Sequence, residues 1–277
     1  MSGSVRQQSM EIAGVSVPVW NAGKGRPLLF LDGGDGFHRG SRWLQLLAEE
    51  WDVHAPKHPG YGGVDFADHI RGVDELSLLY LEMLDRLDLN DVLLVGASFG
   101  GWIAAEMAVR SCDRIAGIVL IDPLGIKVGD RTDRDIRDIY SARPQEKIEI
   151  LYSGSEHRNF DYATMPDQEV AAVVQDREAE AFYGWKPFFH NPTLDRWLFR
   201  VKRPTLFVWG ENDRFVEPGY GRAYAERVPG SQFCVIPQAG HYPHVEQPEA
   251  TFAELRRFAD TLAGDAASSS RPRHAAN

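Results

Sequence analysis

Two cysteines, Cys112 and Cys234, are all that the 277 residues contain. That excludes a disulfide-dense scaffold and a multi-cysteine zinc cluster, and it agrees with a reducing compartment. No apolar run approaches the ~20 residues of a transmembrane helix. Met1 to Met10 has one arginine and no apolar core, so it does not read as a secretory signal. A cytoplasmic protein with no membrane partner is the expectation. A basic excess is also missing: Lys plus Arg is 30 against 40 Asp plus Glu, for a net charge of −10. Phosphate repels such a chain, which argues against non-specific nucleic-acid binding. No Gly-Lys-Ser/Thr occurs, and no Gly-x-Gly-x-x-Gly opens a helix, so the glycines do not form a phosphate cradle. There is no His-Glu-x-x-His. His54 and His58 are four apart, but Pro56 and Pro59 deny them a shared helix face. No metal and no cofactor are expected.

The residues that remain suit a globular enzyme-sized fold. At 43% hydrophobic and 25% charged, the chain can bury a sizeable core in one large domain or two small ones. Short apolar runs alternate with helical patterns. Met10 to Trp20 alternates as a strand or hairpin. Compact apolar runs at Leu28–Leu31, Val92–Val95 and Ile115–Ile121, and a short strand at Trp51–Ala55, are followed by turns or helices. Val73 to Leu87 carries apolar residues at 73, 76, 79, 80, 83, 84 and 87, one face of a helix. Runs of four to seven apolar residues between helices predict parallel strands covered on both faces. The fold class is therefore α/β, a mostly parallel, doubly wound sheet that binds ligands beyond its carboxyl edge. From 123 to 203 the strand pattern stops. This stretch reads as a helical cap inserted into a core of 1–122 and 204–263, with Asp130 to Asp138 as a solvated helix face. A final helix is expected over Pro248 to Leu262, and 264–277 reads as a mobile tail.

The sharpest motif is Gly96-Ala97-Ser98-Phe99-Gly100. Composition alone would supply about 0.13 such Gly-x-Ser-x-Gly strings, so the string by itself is weak. Its context is specific: a strand runs in and a helix runs out, as a nucleophile elbow requires. Small neighbours allow the tight turn. The helix start favours negative charge, and the N–H of Phe99 can face a developing oxyanion. A serine hydroxyl needs a base. His241, in Ala239-Gly240-His241-Tyr242-Pro243-His244, follows the last strand at the same sheet edge. Its neighbour His244 reads as packing or capping. An acid must orient the imidazole. Asp213, in Trp209-Gly210-Glu211-Asn212-Asp213, is preferred over Glu211 and over Asp122, which ends its strand as Ile121-Asp122-Pro123 and could orient the base or touch substrate.

Together these segments resemble the α/β-hydrolase family, from about Met10 to Leu262. The resemblance rests on the elbow, on Trp209 to Asp213, on Gly240 to Pro243 and on Pro59-Gly60-Tyr61-Gly62, in the chain order Ser, Asp, His. It implies a Ser98–His241–Asp213 triad, a lid in the inserted segment, and a second oxyanion donor at the N–H of Gly34. One departure is Asp32-Gly33-Gly34, where many relatives have His-Gly. Asp32 reads as a turn residue and is also a candidate substrate contact. The cap aromatics suggest an apolar or aromatic small-molecule pocket, with Trp185, Phe188, Phe189 and His190 as substrate contacts. An esterase or lactonase working through an acyl-enzyme is the leading expectation. A carbon–carbon hydrolase of ring-cleavage diketones and a non-catalytic receptor are the alternatives. Family members with an aspartate nucleophile are disfavoured by Ser98. The expected state is a monomer or homodimer.

Overall fold

Ala13 and Gly14 turn the chain with positive φ, 51° and 79°. That turn folds β1 (Arg6–Ile12) back on β2 (Val15–Gly23) as an antiparallel hairpin. The computed structural model describes residues 6–33, 41–154 and 163–269, the last seven as backbone. Six further strands follow: β3 (Arg26–Leu31), β4 (Trp51–Pro56), β5 (Val92–Ala97), β6 (Ile115–Ile121), β7 (Thr205–Gly210) and β8 (Gln232–Ile236). They form one eight-stranded sheet in the order β1-β2-β4-β3-β5-β6-β7-β8. β2 meets β4 antiparallel, and every pairing from β4 to β8 is parallel. This is the α/β-hydrolase architecture.

Pleating sends successive side chains to opposite faces, and both faces are buried. On one face Leu28, Val95, Val119 and Val208 pack with Trp43 and Leu47 of α1 (Arg42–Glu50) and with Leu255 and Phe258 of α8 (Pro248–Ser269). On the other, Leu29, Leu94, Ile118 and Phe207 pack against α2 (Val73–Arg86), α3 (Ser98–Arg110) and α6 (Pro218–Glu226). The helix α3 is buried from Ser98 to Val109. Its small residues, Gly100, Gly101, Ala104, Ala105 and Ala108, let it lie close to the sheet.

Between β6 and β7 the described residues contain no strand. They hold α4 (Pro144–Leu151), α5 (Asp167–Gly184) and a 3-10 helix, Leu194–Arg200. This segment is tied to the sheet side of the molecule. Gly62 N–H donates to Asp176 of α5, Tyr183 O–H donates to the Pro59 carbonyl, and Asn191 donates to the buried Glu106 of α3.

Two expectations are corrected. Asp130 to Asp138 is a loop rather than a helix face. Asp135 accepts the N–H groups of Val128 and Gly129 and pairs with Lys127, while Asp133 accepts from Asp130 N–H. Aspartates that take local backbone donors compete with the helix ladder. The last helix also runs to Ser269, not Leu262.

Candidate active site

Five parallel strands deliver their following residues to one sheet edge: β3 to Asp32 and Gly33, β5 to Ser98, β6 to Asp122, β7 to Asp213 and β8 to His241. The carboxyl edge of such a sheet is where ligands bind. Ser98 begins α3 with φ +49°, a left-handed conformation that costs a residue with a Cβ. Close packing holds the turn. A Cβ on Gly100 would stand 2.1 Å from the Leu31 carbonyl oxygen, so only glycine lets α3 start this near β3.

The three residues named from the motifs meet. His241 Nε2 lies 2.7 Å from Ser98 Oγ, and His241 Nδ1 lies 2.8 Å from Asp213 Oδ2. Asp213 Oδ1 accepts the N–H groups of Phe215 and Val216 at 2.8 and 3.0 Å. The carboxylate orientation is thereby fixed by its own loop. All three side chains are buried. With Nδ1–H donated to Asp213, Nε2 is left to accept the Ser98 proton. Phe215 sets its ring edge against the imidazole at 4.8 Å, and Tyr242 lies at 4.9 Å on another side.

The histidine loop is pinned by groups the motifs did not flag. His241 N–H donates to the Leu151 carbonyl at 2.7 Å. Glu246 is buried and accepts three backbone N–H groups, from Gly240, Ser153 and Gly154. The loop after β3 has a similar anchor in His58. Its Nε2 reaches the Asp32 carbonyl, which can only accept, so Nε2 carries the hydrogen and Nδ1 accepts from Tyr80 O–H. Burial pushes this imidazole down to about 4, against the opposing pull of the Asp32 carbonyl. Asp32 itself is half-buried, and Gly33 lies against Ser98. The only sequence signal for either anchor was its neighbourhood: His58 adjoins Pro59-Gly60-Tyr61-Gly62, and Glu246 closes the helix after Tyr242.

The Phe99 amide sits in the first turn of α3, where N–H groups have no acceptor within the helix. Gly34, the other expected donor, lies outside the described residues. Asp122 is brought beside Asp213, while its Oδ1 accepts Gly210 N–H at 2.9 Å. Of the aromatics expected from the inserted segment, Trp185, Phe188 and Phe189 stand in consecutive ring contact, and Tyr140 packs on all three. Trp185 is 58% exposed and packs on Tyr140 and Phe188. His190 donates from Nδ1 to the Phe188 carbonyl. Phe189 is fully buried and does reach the triad's surroundings, through Phe215. His244 packs between Phe30 and Trp43. Among the described residues, Asp122, Asp213 and His241 are the group whose ligand atoms are close enough to share a cation, all within 4.8 Å. No described helix is long and apolar enough to cross a membrane.

A buried Ser–His–Asp relay on the carboxyl edge of a mostly parallel sheet defines a class of hydrolytic fold. A sequence model of the alpha/beta hydrolase family matches residues 28–255, and the chain belongs to that family as a hydrolase. It is 25% identical over 248 residues to the 2-hydroxy-6-oxo-6-phenylhexa-2,4-dienoate hydrolase of Burkholderia cepacia, covering 83% of this chain and 86% of that one. It is 26% identical over 242 residues to the poly(3-hydroxyalkanoate) depolymerase of Ectopseudomonas oleovorans, covering 84% and 83%. Among solved structures, a serine hydrolase from the polyaromatic hydrocarbon-degrading bacterium Cycloclasticus zankles superposes with a TM-score of 0.77 at 19% identity, over 94% of this chain and 99% of that one.

Proposed function

We propose that the protein is a serine hydrolase that cleaves a small, largely apolar ester or lactone through an acyl-enzyme. The observation that carries this reading is the continuous relay from Asp213 through His241 to Ser98 Oγ. His241 Nε2 takes the Ser98 proton as Oγ attacks the substrate carbonyl. The N–H of Phe99, at the positive end of α3, faces the oxyanion, and Gly34 N–H is the second donor. Collapse of the tetrahedral intermediate expels the leaving group, which takes its proton from His241. Water, deprotonated by the same imidazole, then releases the acid and frees Ser98. Asp213 keeps the ring in the productive tautomer and balances the imidazolium. The segment 123–203 serves as the cap, its rings supplying an apolar wall near Phe215.

A second reading is favoured by the likeness to a 2-hydroxy-6-oxo-dienoate hydrolase over most of the chain. The same serine and histidine would then hydrolyse a carbon–carbon bond beside a ketone. A fluorophosphonate probe read by intact mass is the first experiment. Wild type should label once, and Ser98→Ala and His241→Ala should not. Folded wild type that resists both this and a smaller phosphonylating probe would refute the activated serine. Chromogenic esters of graded acyl length, run beside a dienone keto acid, then separate the two substrate readings.

A further inference from the structure

Asp122 is the residue at this edge that the relay leaves over. It stands directly after β6 with φ +41° and is fully buried. Its Oδ1 accepts Gly210 N–H, but among the described residues no donor reaches its Oδ2. Among the described residues the charged groups that face it are both acidic: Asp213 from the loop after β7, and Glu246 of α7 (Pro243–Glu246). The Cys234 thiol on β8 also feels the Asp122 carboxyl, and the His241 imidazole lies beside it. One oxygen of each carboxyl and one ring nitrogen of His241 lie within 4.8 Å of one another. Two adjoining buried carboxyls that share no cationic side chain among the described residues are held from ionising together. Asp213 already receives Phe215 N–H, Val216 N–H and His241 Nδ1–H, the donor set of a carboxylate. Asp122 has one donor for two oxygens. Burial first, and the Asp213 charge second, push its carboxyl well above the ordinary carboxylic range.

We propose that Asp122 is a positioning residue held as the neutral carboxylic acid, its Oδ2–H donating to Asp213 and completing the donor shell that aims Asp213 at His241. The inference rests on the triad reading of Ser98, His241 and Asp213. It assigns the triad one negative charge rather than two. Imidazolium formed during the reaction is therefore balanced by Asp213 alone. The Gly210 amide, donating to Asp122 Oδ1, leaves Oδ2 as the oxygen that carries the proton.

Asparagine in place of Asp122 keeps both bonds: its amide oxygen accepts Gly210 N–H and its NH2 donates to Asp213. It also tolerates the left-handed backbone better than alanine. At about pH 7 the infrared spectrum of wild type should show the carbonyl stretch of a protonated carboxyl, and Asp122→Asn should lose it. In fluorophosphonate labelling, Asp122→Ala should slow the rate at least ~10-fold, and Asp122→Asn should restore it to within ~3-fold of wild type. The acid limb of the labelling rate against pH should coincide for wild type and Asp122→Asn. An ionised Asp122 predicts otherwise. Removing a charge within 4.8 Å of the imidazole would move that limb down by about 2.5 pH units at an effective dielectric near 20. A missing carboxyl band, a displaced limb, or a stoichiometric metal ion in the purified protein would each overturn the proposal. Wild type that shows the band but never labels would refute the triad reading, and with it the positioning role, while the band still locates the proton. The infrared measurement also stands if Asp122→Ala fails to fold.

Discussion

Acid should destabilise this protein through one identifiable imidazole. Burial lowers the His58 imidazole to about 4 in the fold, against an ordinary 6.5 in the unfolded chain. Above 6.5 both states are unprotonated and His58 adds no pH dependence. As pH falls below 6.5, the unfolded chain takes up a proton that the folded protein refuses. Stability therefore declines with falling pH until the folded imidazole itself titrates near 4. A span of about 2.5 pH units at 1.36 kcal/mol per unit gives a loss of about 3.4 kcal/mol. That is a large part of the ~5–15 kcal/mol that holds a typical domain. The perturbation is His58→Gln, which keeps a donor toward the Asp32 carbonyl and cannot charge. It gives up the acceptor for Tyr80 O–H, a cost that does not vary over this range of pH. The assay is urea unfolding of both proteins at a series of pH values from about 7 to about 4. The gap between them should close, or reverse in favour of the variant, by about 3 kcal/mol. Groups that titrate in both proteins cancel from that difference. A gap that stays constant with pH would show that His58 is not held neutral, and the hydrogen-bond assignment at the loop after β3 would fall with it.

Asp122 should give the opposite slope. A carboxyl raised in the fold binds protons that the unfolded chain has lost, so its stabilisation is complete below about pH 3.9 and falls as pH rises toward the folded value. Asp122→Asn should gain on wild type by up to ~1.36 kcal/mol per pH unit across that window, and parallel denaturation curves would refute it. Glu246→Gln cannot satisfy three backbone N–H groups. It should lose about 1.5–3 kcal/mol of stability and lower kcat more than it changes KM, as judged by unfolding and ester kinetics. Gly100→Ala forces α3 away from the Leu31 carbonyl. Labelling of Ser98 should fall by at least ~100-fold, and a folded variant labelling at the wild-type rate would show that the elbow tolerates the displacement.

Much of this arrangement is written locally. The alternation in β2, the one-sided spacing of α2 and the unbroken apolar β5 and β6 each follow from burial on one face or two, which residue type alone can satisfy. Ser98, Asp213 and His241 could be named because each follows a strand, and parallel strands end at one edge. Where the polar chemistry was not periodic, the sequence was silent. Asp130 to Asp138 has the charge pattern of a helix face, but its aspartates take backbone donors in a loop. Trp185, Phe188, Phe189 and His190 are close in the chain and in contact in the fold, yet they differ in burial, from an exposed indole to a fully buried ring.

What the sequence by itself determined, then, is the order of elements and the identity of the relay, because hydrophobic period and strand-end position are properties of contiguous residues. What only the tertiary structure decided is which buried polar groups serve that relay. Glu246 reaches Ser153 from 93 positions away, Asp122 meets Gly210 from 88, and His58 meets Asp32 from 26. A carboxyl's charge depends on what surrounds it in three dimensions. Asp122 and Asp213 look alike in the chain, and their differing donor sets separate them in the fold.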